Sequence, residues 1–164
     1  MRKPVILFSL LFCGVIGAAR AIFAAVDAPP KMCWAHYVGW GFDQINGVSK
    51  FHLDGNRIGA ICGGVLWVKE GLQGGWLQMN GGGTASLQLS GNRIGALYSN
   101  GILSCKDGLY GTWYDQTSGV SAFQLKGDRI GALSGGNLFY KEGMFGSWLT
   151  MAGNTVAKFQ LQEY

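Results

Sequence analysis

A five-residue element recurs along this chain at a fixed step. Gly-Asn-Arg-Ile-Gly occupies residues 55–59 and 91–95, and Gly-Asp-Arg-Ile-Gly occupies residues 127–131, so the chain repeats every 36 residues. A unit of this length is one supersecondary element that cannot bury its apolar face alone. We therefore expect the units to stack or to close into a ring, and any repeated function to be multivalent.

The copies agree well beyond this element. Each copy opens with an apolar-x-Leu pair, continues through Arg-Ile-Gly-Ala and a glycine-rich turn, and reaches Lys-acid-Gly before a tryptophan. We predict a β-repeat domain over residues 40–164, in which partial repeats flank three full ones. The full repeats span residues 51–86, 87–122 and 123–158.

The first 25 residues have the layout of a secretory signal peptide. Arg2 and Lys3 precede an apolar run, and small residues around Ala21 provide a cleavage region. We predict a secreted or periplasmic protein that is not held at a membrane after signal cleavage. The alternative is an uncleaved anchor. Residues 26–39 are predicted to be a cap segment that closes the repeat array, because terminal repeats are typically atypical.

Charge and motif content argue against several functions. Loss of the signal peptide leaves 10 basic and 9 acidic residues, a net charge of +1. The basic residues are spread along the repeats, so we expect no nucleic-acid partner. His36 and His52 do not recur, the carboxylates are periodic, and no metal-ligand spacing is present. We predict that the protein is not an enzyme and uses neither a metal nor another cofactor.

Three cysteines remain after signal cleavage, Cys33, Cys62 and Cys105, and they mark no common position in the repeats. An odd number without a repeated position does not indicate a disulfide framework. We expect Cys62 and Cys105 to behave as small buried apolar groups. One disulfide with one thiol left over remains open.

The apolar pattern predicts an all-β protein. Apolar residues alternate with period two, and glycine or Asn-Gly punctuates every few residues, which is typical of short antiparallel strands. In the second repeat we place strands at residues 86–89, 93–98, 102–106 and 112–116. Four strands in each repeat form a blade-like sheet, and radial repetition of such sheets gives a β-propeller-like array. A β-prism or a β-trefoil is the alternative fold.

Residues that recur once in each repeat are the candidate ligand-binding groups. An indole face stacks on the apolar face of a sugar ring, and Asn or Asp hydrogen-bonds sugar hydroxyls. The competing interpretations are inter-blade packing for the tryptophans and ordinary turn chemistry for Asn and Asp. The predicted ligand-binding residues are Trp40, Trp76, Trp113, Trp148, Asn56, Asn92 and Asp128.

The same repeats carry an arginine and an acidic residue. An arginine fork can bind the polar edge of a ligand, but we favour an internal pair within each sheet. The predicted pairs join Arg57, Arg93 and Arg129 to Glu70, Asp107 and Glu142, respectively.

The combination of apolar-x-Leu-x-Gly, Ile-Gly-Ala, Gly-x-Leu-x-x-Lys and Trp resembles the repeats of tectonin and tachylectin-like propellers over residues 40–164. The resemblance implies a secreted, non-catalytic carbohydrate-binding module with a glycan partner. Such rings usually have five or more blades. We therefore expect a composite blade, a homo-oligomer that completes the ring, or a truncated fragment. A weaker resemblance links residues 88–96 to β-prism mannose-binding lectins.

Two other functions stay open. One is a structural or protein-interaction propeller whose tryptophans are internal. The other is a truncated module of a secreted carbohydrate-active enzyme, because the Ala-His-Tyr stretch at residues 35–37 is similar to the opening strand of some glycoside-hydrolase barrels.

Overall fold

The computed structural model describes residues 37–38, 41–42, 45, 47–153 and 155–162, with the backbone alone at 37–38 and 41–42. The predicted signal peptide, most of the predicted cap segment and Trp40 lie outside the described residues. The described part consists of strands, turns and loops without helix, which confirms the all-β fold class. None of its segments is a helix long and apolar enough to span a membrane.

The described strands form a short hairpin and three four-stranded antiparallel sheets. We call the sheets blade 1 (β3–β6), blade 2 (β7–β10) and blade 3 (β11–β14), and each is a meander of strands in sequence order. The strands are β1 (Tyr37–Val38), β2 (Gly41–Phe42), β3 (Val48–Asp54), β4 (Arg57–Cys62), β5 (Val65–Glu70), β6 (Leu77–Gln78), β7 (Thr84–Ser90), β8 (Arg93–Tyr98), β9 (Leu103–Asp107), β10 (Tyr114–Thr117), β11 (Val120–Lys126), β12 (Arg129–Ser134), β13 (Asn137–Glu142) and β14 (Leu149–Ala152).

The strands of blade 2 agree closely with those predicted for the second repeat. β8 has the predicted bounds. β7 begins earlier than predicted because Thr84 still pairs with Tyr98 beyond a bulge. β10 begins later, at Tyr114, because Trp113 belongs to the loop that precedes it.

The first hairpin of each blade turns on two residues. In blade 1, Asp54 pairs with Arg57, so Gly55 and Asn56 form the whole turn. Gly55 has a φ of +54°, and the equivalent glycines of the other two blades have +54° and +55°. Glycine adopts this left-handed backbone without steric cost, which explains the first glycine of the repeated element.

The second glycine of the element lies in the second strand of each blade and makes room for the next blade. A Cβ atom on Gly59 would lie 2.5 Å from Cδ1 of Leu87, and one on Gly95 would lie 2.6 Å from the ring of Phe123. Glycine has no side chain, so the side chains from the first strand of the following blade pack directly on its backbone.

The hydrophobic core lies between the blades. One cluster joins Leu66 and Val68 of blade 1 to Leu87, Leu89 and Ile94 of blade 2. A second cluster joins blades 2 and 3 in the same way, through Leu103, Cys105, Phe123, Leu125 and Ile130. The sides of neighbouring blades that face each other are therefore buried against each other.

The described tail continues the pattern after blade 3. A Cβ atom on Gly131 would lie 2.6 Å from the ring of Phe159, the same distance as from a Cβ atom on Gly95 to the ring of Phe123. The backbone N–H of Leu161 donates to Oε1 of Gln124 at 2.6 Å. Residues 159–162 thus occupy the place that the first strand of a further blade would take.

The cysteine prediction needs correction. Cys62 is disulfide-bonded and is not a free apolar group, although it is buried as expected. Cys105 is a free buried thiol, and burial raises its pKa to about 12. The cysteines do not follow the repeat, so the 36-residue pattern carried no information about their pairing.

The glycine contact predicts a strong effect of a small substitution. We expect Gly95→Ala to destabilise the protein by about 1–3 kcal/mol, because the new methyl group overpacks the junction against the ring of Phe123. Gly75→Ala is the control, since nothing lies within 4 Å of a Cβ at that position. Urea unfolding of both variants tests this, and equal unfolding midpoints would contradict the role of Gly95.

Candidate functional site

The repeated arginine holds two blades together. Arg93 stands opposite Asp107 across β8 and β9, and its Nε donates to Oδ1 of that carboxylate at 3.0 Å. Its Nη2 reaches Oδ1 of Asp128 in blade 3 at 3.0 Å, and its Nη1 donates to the Asp128 carbonyl at 3.1 Å. A single buried guanidinium therefore pairs within its own sheet and with the turn of the next blade.

The other two arginines make related contacts. Arg57 donates to Oε1 of Glu70 and to the Gly91 carbonyl of blade 2 at 3.1 Å. Nε of Arg129 lies 3.7 Å from Oε1 of Glu142. The predicted internal arginine–acid pairs are confirmed in all three blades.

The charge of Arg93 is stabilised by its partners. Burial lowers the pKa of its guanidinium, but the hydrogen bonds and negative charges of Asp107 and Asp128 outweigh this and raise the pKa overall. Arg93 is therefore a fixed cation whose donors are directed to residues of the protein.

The repeated lysine is buried, although lysine usually lies at the surface. Nζ of Lys106 donates to the Leu109 carbonyl at 2.7 Å and lies 5.4 Å from the ring centroid of Trp113. Burial lowers the pKa of this ammonium group. The same lysine–tryptophan pair recurs in blades 1 and 3, at 5.3 Å for Lys69 with Trp76 and 5.0 Å for Lys141 with Trp148.

The tryptophans also connect neighbouring blades. Nε1 of Trp113 donates to the Met79 carbonyl of blade 1 at 3.0 Å, and Nε1 of Trp148 donates to the Gln116 carbonyl of blade 2 at 3.1 Å. Both indoles are half-buried, as is Trp76. These contacts favour the inter-blade packing interpretation, and ligand binding by Trp76, Trp113 and Trp148 stays a prediction.

The predicted Asn and Asp residues lie at the second position of the hairpin turns. The carbonyls of Asn56, Asn92 and Asp128 accept hydrogen bonds from the backbone N–H of Gly71, Gly108 and Gly143. The Asn92 side chain also accepts from Arg57 at 3.4 Å. These residues thus make contacts within the turns and between blades, although their side chains remain exposed.

The hairpin turn of blade 1 borders a shallow cavity of about 370 Å³. Asn56, Arg57 and Glu70 line it together with Gly91 of blade 2. The cavity brings one predicted site residue beside an arginine–acid pair, but no repeated tryptophan lines it. Within the described ranges, no cluster of His, Cys, Asp or Glu is arranged to hold a metal ion.

Another junction residue was missed in the sequence. Gln88 of blade 2 accepts the Leu125 N–H at 2.8 Å and donates to the Phe123 carbonyl at 2.9 Å. Gln124 and His52 occupy the same repeat position, and Nδ1 of His52 accepts the Leu89 N–H at 3.1 Å. The available signal was a polar residue between the two apolar residues that open each repeat.

Comparison with known proteins supports the fold. No family model and no curated protein matches the chain. Among solved structures, it resembles the N-terminal domain of Nup159 at 12% identity and a TM-score of 0.52, covering 70% of this chain and 33% of that one. It resembles a chain of the S. cerevisiae complex of a Dbp5 variant with Nup159, a Gle1 variant, IP6 and ADP at 14% and 0.50, covering 66% and 31%.

The designed protein Ika4 is also similar, at 15% identity and a TM-score of 0.55, covering 69% of this chain and 79% of Ika4. The present chain spans about a third of the length of the first two matched chains. Together with the repeated four-stranded sheets, these similarities define a β-propeller-like repeat protein. They do not show the tectonin or tachylectin-like family.

The histidine at the first junction predicts a pH dependence. Burial lowers the pKa of His52, and the nearby charge of Asp54 opposes this in part. The native state therefore binds fewer protons at His52 than the unfolded state, so stability falls as the pH drops below the ordinary value of 6.5. His52→Gln installs the residue of the other two blades and should flatten this dependence.

Urea unfolding of wild type and His52→Gln between about pH 5 and 8, where an ordinary histidine titrates, measures the difference. Identical pH slopes for the two proteins would exclude His52 as the source.

Proposed function

We propose that this chain is a secreted, non-catalytic protein-interaction module of the β-propeller type. The observation that carries the proposal is a group of four large side chains left exposed in blades 2 and 3. Tyr110 is 87% exposed, Phe145 77%, Leu149 58% and Tyr114 43%. We call these four residues, three of which are aromatic, the outer aromatic strip.

The strip follows the repeat. Tyr110 and Phe145 occupy the same position in the loop before the outermost strand. Tyr114 and Leu149 are the first residues of β10 and β14. The ring of Phe145 packs edge-on against Tyr114, with the centroids 5.0 Å apart and the planes at 81°, so the two blades share one surface.

Exposed aromatic groups of this kind are typical of protein interfaces. Tyrosine and phenylalanine are enriched where proteins bind one another, and a few such residues carry most of the binding energy. The repeated arginine, lysine and tryptophan make contacts within and between blades. One structure with a similar fold is described as Dbp5 bound to Nup159, so the fold is compatible with a protein partner.

Carbohydrate binding is the second candidate, and one observation favours it. Aromatic rings recur at the exposed position of Tyr110 and Phe145, and such rings form stacking platforms for sugars. The platform would then be these two rings rather than the repeated tryptophans, whose indole N–H groups are engaged at Trp113 and Trp148. Secretion in both cases rests on the signal-like residues 1–25.

The test compares wild type with the double variant Tyr110→Ser/Phe145→Ser. Both are immobilised, exposed to proteins secreted by the source organism, and read by quantitative mass spectrometry. We expect a partner that wild type retains and the double variant loses, with about 30-fold weaker affinity on titration of that partner. Gln73→Ser is the matched control, because Gln73 holds the same loop position in blade 1.

Two results would count against the proposal. Equal retention of every protein by wild type and the folded double variant would remove the outer aromatic strip as the binding surface. Binding to a glycan array that the double variant loses, without any protein partner, would establish the carbohydrate candidate instead.

A further inference from the structure

Blade 1 exposes apolar side chains that the following blades bury. Phe51 and Leu53 of β3 are 69% and 58% exposed. Their counterparts in blade 2, Leu87 and Leu89, are 5% and 2% exposed because they pack against blade 1. The counterparts in blade 3 are similarly buried, Phe123 at 4% and Leu125 at 6%.

A third position shows the same difference. Leu72, in the loop after β5, is 67% exposed, whereas its blade 3 counterpart Met144 is 8% exposed and packs in the cluster shared with blade 2. We call Phe51, Leu53 and Leu72 the leading face. In blades 2 and 3, the equivalent apolar surface is covered by the preceding blade.

Blade 3 carries the complementary surface. A cavity of about 400 Å³ lies on its far side, between Leu138, Tyr140 and Met151 of blade 3 and residues 160–162 of the tail. The same repeat positions in blade 1 are Leu66, Val68 and Met79, which blade 2 covers. We call the blade 3 surface, together with Gly131, the trailing face.

The tail shows what the trailing face accepts. Phe159 and Leu161 lie against Gly131, and Phe-x-Leu is also the sequence of residues 51–53. Phe159 and Leu161 are only half-buried, and within the described residues 155–162 form no strand. The tail therefore fills the place of a first strand without the hydrogen-bonded sheet that a blade supplies.

We propose that two copies of this chain associate head to tail, with the leading face of each on the trailing face of the other. The junction repeats the one between successive blades. Phe51 takes the place of Phe159 against Gly131, so the tail gives way.

The number of blades agrees with closure. One chain contributes three described four-stranded sheets, and propellers typically have 4–8 blades. Two copies supply six, and each copy offers both halves of a heterologous junction, which can close into a ring. This self-association does not involve the outer aromatic strip, so it stands or falls separately from the proposed function.

The first test is the mass of the full chain in solution, produced in a secreting host and measured by sedimentation or light scattering. We expect twice the mass of one chain. Phe51→Gln/Leu53→Gln and, separately, Met151→Lys should each reduce it to one chain, and all three side chains are exposed in the single chain, so folding is preserved. Tyr110→Gln, an exposed aromatic outside both faces, is the control and should keep the double mass.

A wild-type mass of one chain at micromolar concentration would overturn the proposal and indicate that another segment of the same chain covers the leading face. A double mass that survives both variants would also overturn it.

Mixing the two variants tests the head-to-tail direction. The Met151→Lys chain keeps an intact leading face and the Phe51→Gln/Leu53→Gln chain keeps an intact trailing face, so one sound junction can form between them. We expect a mixed pair in native mass spectrometry and none from either variant alone. Absence of the mixed pair, with both variants folded by circular dichroism, would rule out a heterologous junction.

Discussion

The second strand of each blade carries a glycine, and the packing between successive blades depends on the space that this glycine leaves. At Gly59 and Gly95, side chains from the first strand of the next blade pack directly on the glycine backbone. That approach buries the leucines and aromatic rings between sheets, and it brings polar groups of neighbouring blades within hydrogen-bonding distance. The Gln88 side chain and the Trp113 indole then satisfy backbone groups across the junctions. Close approach, burial and polar pairing therefore occur together.

Each residue of the repeated five-residue element contributes to the junction between blades. Its first glycine allows the tight turn, and the Asn or Asp that follows lies beside the arginine of the preceding blade. The arginine pairs within its sheet, the isoleucine of blades 2 and 3 lies in the core, and the second glycine makes room for the next blade. Positions that differ between repeats and stay exposed, such as Tyr110 and Phe145, are then the better place to look for recognition.

Features that depend on the 36-residue period were predictable, because equivalent residues must occupy equivalent places. The period and the alternation of apolar residues located the strands, and the pairing of Arg93 with Asp107 followed from their common recurrence. Features that depend on contacts between blades were not. The residues around Lys106 and Trp113 in the sequence do not indicate that the lysine is buried or that the indole N–H donates to a carbonyl of the preceding blade. The disulfide of Cys62 was left open rather than predicted, because the cysteines do not follow the repeat.

Hydrogen exchange under native conditions tests most directly whether the repeated residues serve the junctions. The informative protons are the indole N–H of Trp113 and the backbone N–H groups of Leu89 and Leu125, which all donate across blade boundaries. If the junctions hold the array together, these protons exchange only through cooperative opening, with the free energy of global unfolding. Rapid exchange of these protons from a protein whose sheets remain protected would show that the blades are stable without their junctions and would contradict this account.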